Sequence, residues 1–318
     1  MTFRRSANRP LVLALLIGLV LACAPLTEDR MPKADTAPEG AFIDLPGGRI
    51  HAIIAGDGPD LVMIHGANGN ARDFSFDLMA RMAGEFRVIA LDRPGFGFSD
   101  DFGGPQSPLE QADIMRAAVQ RLDVQDPLLL GHSYGGAVAL AWALRGGDDV
   151  AGLTLLAPVS HPWPGELGLW YRLSGSALGR AVLLPAIAQL APQVAVERAL
   201  EGVFAPDPVP EGYLDHLGFD LTMRAAQLAL NAAQVNALRA YVEAMAPGYP
   251  ALTLPIELLH GTEDSTVGLS IHSEILAQAV ESARLTRLDG VGHMPHHARP
   301  EKVADAIRRT AERAGLVP

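Results

Sequence analysis

Apolar and polar positions follow two different rhythms along this chain. From Ala41 to Leu156, short apolar runs of strand length recur between stretches of helical spacing. Ala41–Leu45 and Arg49–Ala55 flank Pro46-Gly47-Gly48 and predict a hairpin. Leu61-Val62-Met63-Ile64 is apolar at every position, as strands buried on both faces are. Asp73–Ala83 has helical spacing, and Phe86–Leu91 is the next strand. Ser107-Pro108-Leu109-Glu110 reads as a helix start, with Ser as cap, Pro first and Glu third, and the helix runs to about Leu122. Pro127–Leu130 and Gly152–Leu156 are strands on either side of a helix over Tyr134–Leu144. Pro255–Leu259 and Leu285–Leu288 are two more, and Arg299–Ala314 is a closing helix. The alternation predicts an α/β fold, a mostly parallel eight-stranded sheet with helices on both faces.

The rhythm changes between residues 159 and 250. This stretch is rich in Ala and Leu, punctuated by Pro and Gly, with helical spacing over Ala177–Leu190, Val194–Val203 and Phe219–Met245. It predicts a helical cap inserted after the sixth strand, with residues 41–158 and 251–318 forming the core. Parallel strands share polarity, so the cap emerges at the sheet edge where Ser133 lies. Trp163, Trp170 and Tyr171 fall in its first part, either as cap core or as walls of an apolar pocket.

The first residues differ from the rest. Arg4, Arg5 and Arg9 precede an uncharged apolar run, Leu11 to Ala22, which is short for a membrane-spanning helix. Cys23, the single cysteine, follows directly. Residues 1–22 read as a secretory signal, and Leu19-Val20-Leu21-Ala22-Cys23 resembles a bacterial lipobox, which implies cleavage before a lipid-modified Cys23 and attachment to a membrane of the cell envelope. Residues 23–40 read as a tether; as a coil its 17 residues after Cys23 span roughly 20–25 Å. With one cysteine, disulfides are not part of the expected stability. The net charge of −11, with no Lys/Arg-rich run in the body of the chain, argues against a nucleic-acid partner and says little about the substrate, for which a small molecule is expected.

Gly131-His132-Ser133-Tyr134-Gly135 carries the chemistry. It lies between an apolar strand and an apolar helix, where a sharp turn presents the serine at a helix N-terminus. A serine hydroxyl needs a base. His293, after the last strand, supplies one, and an imidazole in that role needs a carboxylate on its other nitrogen. Asp264, just past the preceding strand, fits, with Glu263 as its rival. Asp92 reads as a residue holding its own loop, and Arg93 as a loop salt bridge in preference to a substrate ligand. His293, His296 and His297 lack a convincing metal-ligand spacing, so neither metal nor organic cofactor is expected.

From about Ala41 to Ala314 the chain resembles the α/β-hydrolase superfamily, in its branch with a helical cap. Four motifs carry the resemblance in order: His65-Gly66; Asp92-Arg93-Pro94-Gly95-Phe96-Gly97-Phe98-Ser99-Asp100; Gly131 to Gly135; and Gly292-His293-Met294-Pro295 with Pro300 following. The resemblance selects Asp264 as the acid. It implies an oxyanion loop at His65 and Gly66, and an oxyanion hole from the backbone N–H groups of Ala67 and Tyr134. Asn68 lies in the same loop and is a further pocket candidate. His296-His297 departs from the family, where a Glu is usual at the second position; altered local packing is expected. Dehalogenases and epoxide hydrolases of the superfamily carry Asp at the elbow, so Ser133 points to neither. The expected reaction is ester hydrolysis through an acyl-enzyme, with C–C bond hydrolysis as the alternative in the same fold. A binding protein that kept the fold without turnover is the alternative from another class, and it has no need of all three residues.

Overall fold

The computed structural model describes residues 38–146 and 149–316. The residues read as a signal, Cys23 and nearly all of those read as a tether lie outside the described residues. Eight strands form one sheet: β1 (Ala41–Leu45), β2 (Gly48–Ala55), β3 (Asp60–Ile64), β4 (Arg87–Leu91), β5 (Leu128–His132), β6 (Gly152–Leu156), β7 (Ile256–Gly261) and β8 (Ala283–Leu288). Their order is β1-β2-β4-β3-β5-β6-β7-β8. β2 runs antiparallel to both neighbours, and the strands from β4 to β8 are parallel.

The continuous apolar strands serve two cores at once. Along β3, Val62 and Ile64 enter one core while Leu61 and Met63 enter the other. The first core packs under the helices Pro108–Gln120, Tyr134–Gly146 and Ser273–Ala279; the second packs under Leu78–Met82 and Pro300–Arg313. Glu257 in β7 is a charged exception. It is buried, and Arg309 and Arg313 of the closing helix donate to its carboxylate at 3.1 and 2.7 Å, which compensates its desolvation.

Helical spacing overestimated continuity. Asp73–Ala83 is two short helices, Arg72–Ser75 and Leu78–Met82. Phe219–Met245 breaks into Phe219–Thr222 and Ala225–Met245. Arg224 between them is extended (φ −61°, ψ 130°), and its guanidinium donates to the carbonyls of Leu221 and Gly97. The short helices Leu169–Gly175, Tyr213–Leu217 and Pro295–Ala298 had no clear periodic signal.

The residues between β6 and β7 are helical and form a cap. The register Leu128↔Gly152 through His132↔Leu156, continued by Leu156↔Leu259, ends β5, β6 and β7 at one edge. Ser133, Asp264 and His293 follow β5, β7 and β8 there, and the cap segment leaves β6 at the same edge. This carboxyl edge is where open α/β sheets gather ligands.

Candidate active site

The elbow holds its serine under backbone strain. Ser133 has φ +53°, a left-handed conformation costly to any residue with a Cβ. Its N–H donates to Leu156 O (2.9 Å), and its carbonyl accepts from Gly136 N (3.0 Å) and Val159 N (3.1 Å), so β6 and the helix together fix the turn. The flanking glycines are required by close approach. A Cβ on Gly135 would lie 2.1 Å from Ile64 O, and one on Gly131 would lie 2.5 Å from Gly135 O. Tyr134 opens the helix Tyr134–Gly146, so its N–H has no partner within that helix.

Ser133, His293 and Asp264 form a hydrogen-bonded chain. His293 Nδ1 lies 2.7 Å from Asp264 Oδ2, and its Nε2 lies 2.9 Å from Ser133 Oγ. An ionised carboxylate only accepts, so the imidazole proton sits on Nδ1 and the Ser133 hydroxyl donates to Nε2. Burial pushes the Asp264 carboxyl up. Hydrogen bonds from His260, His293 and the Val267 N–H outweigh that and hold it below the usual carboxylate value. The remaining oxygen, Oδ1, accepts from Thr266 N and Val267 N, both at 2.8 Å. His260 had drawn no attention in the sequence. It sits at the end of β7, four residues before Asp264, with Nε2 2.8 Å from Val267 O and 3.2 Å from Asp264 Oδ2.

The second loop of the site is set by Gly66. A Cβ there would lie 3.3 Å from Ser133 Cβ, so this backbone packs against the serine. Gly66 O accepts from His65 Nδ1 (2.9 Å) and Arg93 Nη2 (3.0 Å). In a trans peptide the N–H points opposite the C=O, so the exposed Ala67 turns its N–H away from those donors. His65 Nε2 accepts from Arg93 N at 3.0 Å; burial first, then Arg93, lowers its pKa to about 4, which keeps it neutral. His65 is thus an anchor of the loop. Asn68 is bound to the cap: its N–H donates to Asn231 Oδ1 (2.9 Å) and its Nδ2 to Thr222 O (3.4 Å).

Asp92 holds its loop, accepting from Ala71 N (2.6 Å), Phe98 N (2.7 Å) and His51 Nδ1 (2.8 Å). Arg93 departs from the expected salt bridge. It is fully buried, donates to Gln111 (3.0 Å) and Gln234 (3.1 Å) as well as Gly66 O, and lies over the rings of Phe96 and Tyr134. These partners are all neutral. Trp163 packs against the first core beside His272, and Tyr171 is half-buried against that core. Trp170 stands 47% exposed on the cap and so is not part of a cap core.

His296 and His297 converge on Asp73, which is buried on the opposite side of His132. Asp73 accepts from His296 Nε2 (3.1 Å), His297 Nε2 (2.8 Å) and Tyr213 Oη (2.8 Å). Burial would raise its pKa, but the two histidines hold it well below the carboxylate range. The three groups offer ligand-type atoms within 4.8 Å of one another, a convergence the spacing did not suggest. Each ring spends its Nε2 hydrogen on Asp73, while His296 Nδ1 is buried without a hydrogen-bond partner among the described residues. His132 stands between this cluster and the triad, and its Nε2 donates to His293 O at 2.9 Å. Burial, then His296 and His293, push the His132 pKa far down.

A sequence model of the Alpha/beta hydrolase family matches residues 61–306, from β3 into the closing helix. The chain belongs to this family. It is 27% identical to an uncharacterized protein of Mycobacterium tuberculosis over 87% of this chain and 83% of that one. It is 26% identical to haloalkane dehalogenase 2 of the same species, over 88% and 97%. Among solved structures, the esterase EaEST of Exiguobacterium antarcticum superposes with a TM-score of 0.69 at 23% identity, covering 85% of this chain and 99% of that one, a likeness of fold.

Proposed function

We propose that this hydrolase cleaves carboxylic esters through an acyl-enzyme on Ser133. The observation that carries the reading is the chain Ser133 Oγ–His293–Asp264 at a strained elbow on the carboxyl edge of the sheet. His293 Nε2 takes the hydroxyl proton as Oγ attacks the ester carbonyl, and Asp264 stabilises the imidazolium. The carbonyl oxygen becomes an oxyanion facing the N–H groups of Ala67 and Tyr134; each such donor contributes roughly 3 kcal/mol in comparable sites. His293 then protonates the departing alkoxide. Water, deprotonated by the same nitrogen, attacks the acyl carbon and releases the acid and free Ser133. A hydroxyl at position 133, in place of a carboxylate, favours esters over the alkyl halides named for one relative.

A fluorophosphonate probe is expected to label Ser133, and Ser133→Ala to abolish labelling and turnover across a panel of chromogenic acyl esters. Undiminished hydrolysis by that variant would overturn the mechanism. The Ala/Leu-rich cap supports a small to medium apolar substrate.

We propose further that the chain is exported and anchored through lipidated Cys23 after cleavage behind Ala22. The support is the positively charged start, the apolar run and the lipobox-like residues. Mass spectrometry of the mature N-terminus checks this. Cys23→Ser is expected to remove the lipid, and an unmodified Cys23 in an intact precursor would refute it.

A further inference from the structure

The cap helices carry apolar side chains on a face that nothing among the described residues covers. Ten large hydrophobic side chains are exposed among the described residues, and seven of them lie between Leu169 and Val194. In the helix Leu169–Gly175, Ser174 is buried and Tyr171 O accepts from Asn236 on the helix Ala225–Met245, so the inner face is occupied. Leu169, Trp170 and Leu173 point outward. Leu184 likewise fills a small cap core with Met223, Leu228 and Ala232, while Leu178 (72% exposed), Val182 and Leu190 remain outside. A surface helix of a soluble domain normally places polar residues on that side. Exposed apolar side chains gathered on neighbouring helices in this way mark an interaction site.

We propose that this outer face of the cap docks on an anionic lipid surface. Charge favours that occupant. From Gly168 to Val194 the chain has two arginines and no acidic residue, although its net charge is −11; Arg172 pairs with Glu166 at the edge of the stretch (3.3 Å), and Arg180 donates to a backbone carbonyl. The strongly acidic body is repelled by anionic headgroups, whereas this stretch carries no acid of its own and presents Arg180 to them. Shape agrees. No single described helix is long and apolar enough to cross a membrane, and Leu169–Gly175 meets Gly179–Leu190 at 87°. Two short helices at that angle, with Leu and Trp outward and Arg beside them, suit an interfacial position. The sequence ahead of the fold also agrees, because a lipidated Cys23 and a short tether would hold the cap near the bilayer. The cap covers the edge where Ser133 lies, so a docked cap draws its ester from the lipid phase. In this respect the inference rests on the ester-hydrolase reading and names amphiphilic, lipid-borne esters as its substrates.

The test reads docking without activity. The full chain is mixed with vesicles of phosphatidylglycerol and phosphatidylcholine, with and without brominated acyl chains, and tryptophan emission is recorded for the wild type, Trp170→Phe and Leu173→Asp/Leu178→Asp. Brominated lipid is expected to quench the wild type by the share of emission that Trp170→Phe removes. The double Asp variant is expected to lose that quenching while keeping wild-type circular dichroism. Equal quenching of the wild type and Trp170→Phe would overturn the proposal. So would a dimer in sedimentation that the Asp pair converts to monomer, since the face then belongs to a second copy. In a second arm, hydrolysis of a vesicle-borne ester is expected to fall several-fold in the Asp variant, with hydrolysis of a dissolved ester unchanged. Loss of Trp170 quenching with intact ester turnover would remove docking and leave the hydrolase. Retained quenching with no ester turnover by the wild type would do the reverse.

Discussion

Arg93 is the residue whose role changed most between sequence and structure. Its guanidinium is fully buried, all its hydrogen-bond partners are neutral, and burial lowers its pKa to about 10, so it remains a cation at neutral pH. Through Gly66 O it orients and polarises the peptide whose N–H, at Ala67, faces the proposed oxyanion. Arg93→Met keeps the bulk and removes the donors. We expect kcat on a neutral ester to fall about 10–100-fold, the loss of roughly 1.4–2.8 kcal/mol from the transition state, with KM little changed. Arg93→Lys is expected to fall between, because one ammonium on a flexible stem cannot reproduce the planar fork. Steady-state kinetics with circular dichroism as a fold check would decide, and an unchanged kcat would mean that His65 alone holds the loop. Ser133, His293 and Asp264 were legible because each is tied to a strand end or a motif. Asp73 was not, because its partners lie 223 and 224 residues away and no local pattern announces them.

At the scale of elements, local signals and tertiary constraints have different weights. The helix Pro108–Gln120 starts as its sequence indicated: Ser107 Oγ accepts from Glu110 N, and Glu110 accepts from Ser107 N at 2.7 Å. Ser107→Ala should lower the unfolding free energy by about 1 kcal/mol, measured by urea titration. Gly135→Ala looks as mild in sequence but sets a methyl 2.1 Å from Ile64 O, where backbone lies on both sides. It is expected to cost on the order of 3 kcal/mol or more and to abolish fluorophosphonate labelling. A Gly135→Ala protein with normal labelling would show that β3 can yield. Helix continuity was the weaker inference. Apolar spacing persists through Arg224, yet the bonds from its side chain to Leu221 and Gly97 hold it extended there.

Across the molecule, burial disfavours the charged form of several histidines. Burial lowers His65 and His272 to about 4, and pushes His132 and His296 down as well. The unfolded chain protonates these rings near pH 6.5, so it binds more protons than the native state below that pH, down to about 4 for His65 and His272. The stability they contribute is present above pH 6.5 and is lost as pH falls through this window. Each adds a slope of up to about 1.4 kcal/mol per pH unit. The urea midpoint is therefore expected to drop steeply from pH 7 to 5, before the depressed carboxyls of Asp73 and Asp264 titrate. A flat midpoint over that range would mean that the rings are charged in the folded protein.

The choice of Asp264 over Glu263 came from the family resemblance; the sequence by itself determined the sheet, the cap's place in the chain, and Ser133 and His293 as candidates. These depend on interactions close in sequence: unbroken apolar strands, small residues at a sharp turn, and polar groups at strand ends. Only the tertiary structure decided what surrounds them. The neutral partners of Arg93, the convergence of His296 and His297 on Asp73, the clasp of Asn68 to Asn231 and the outward face of Trp170 are set by the packing of elements far apart in the chain. A side chain's hydrophobicity says that it prefers to be buried. Which neighbour buries it, and whether enough surface remains to do so, depends on how all the elements share one volume.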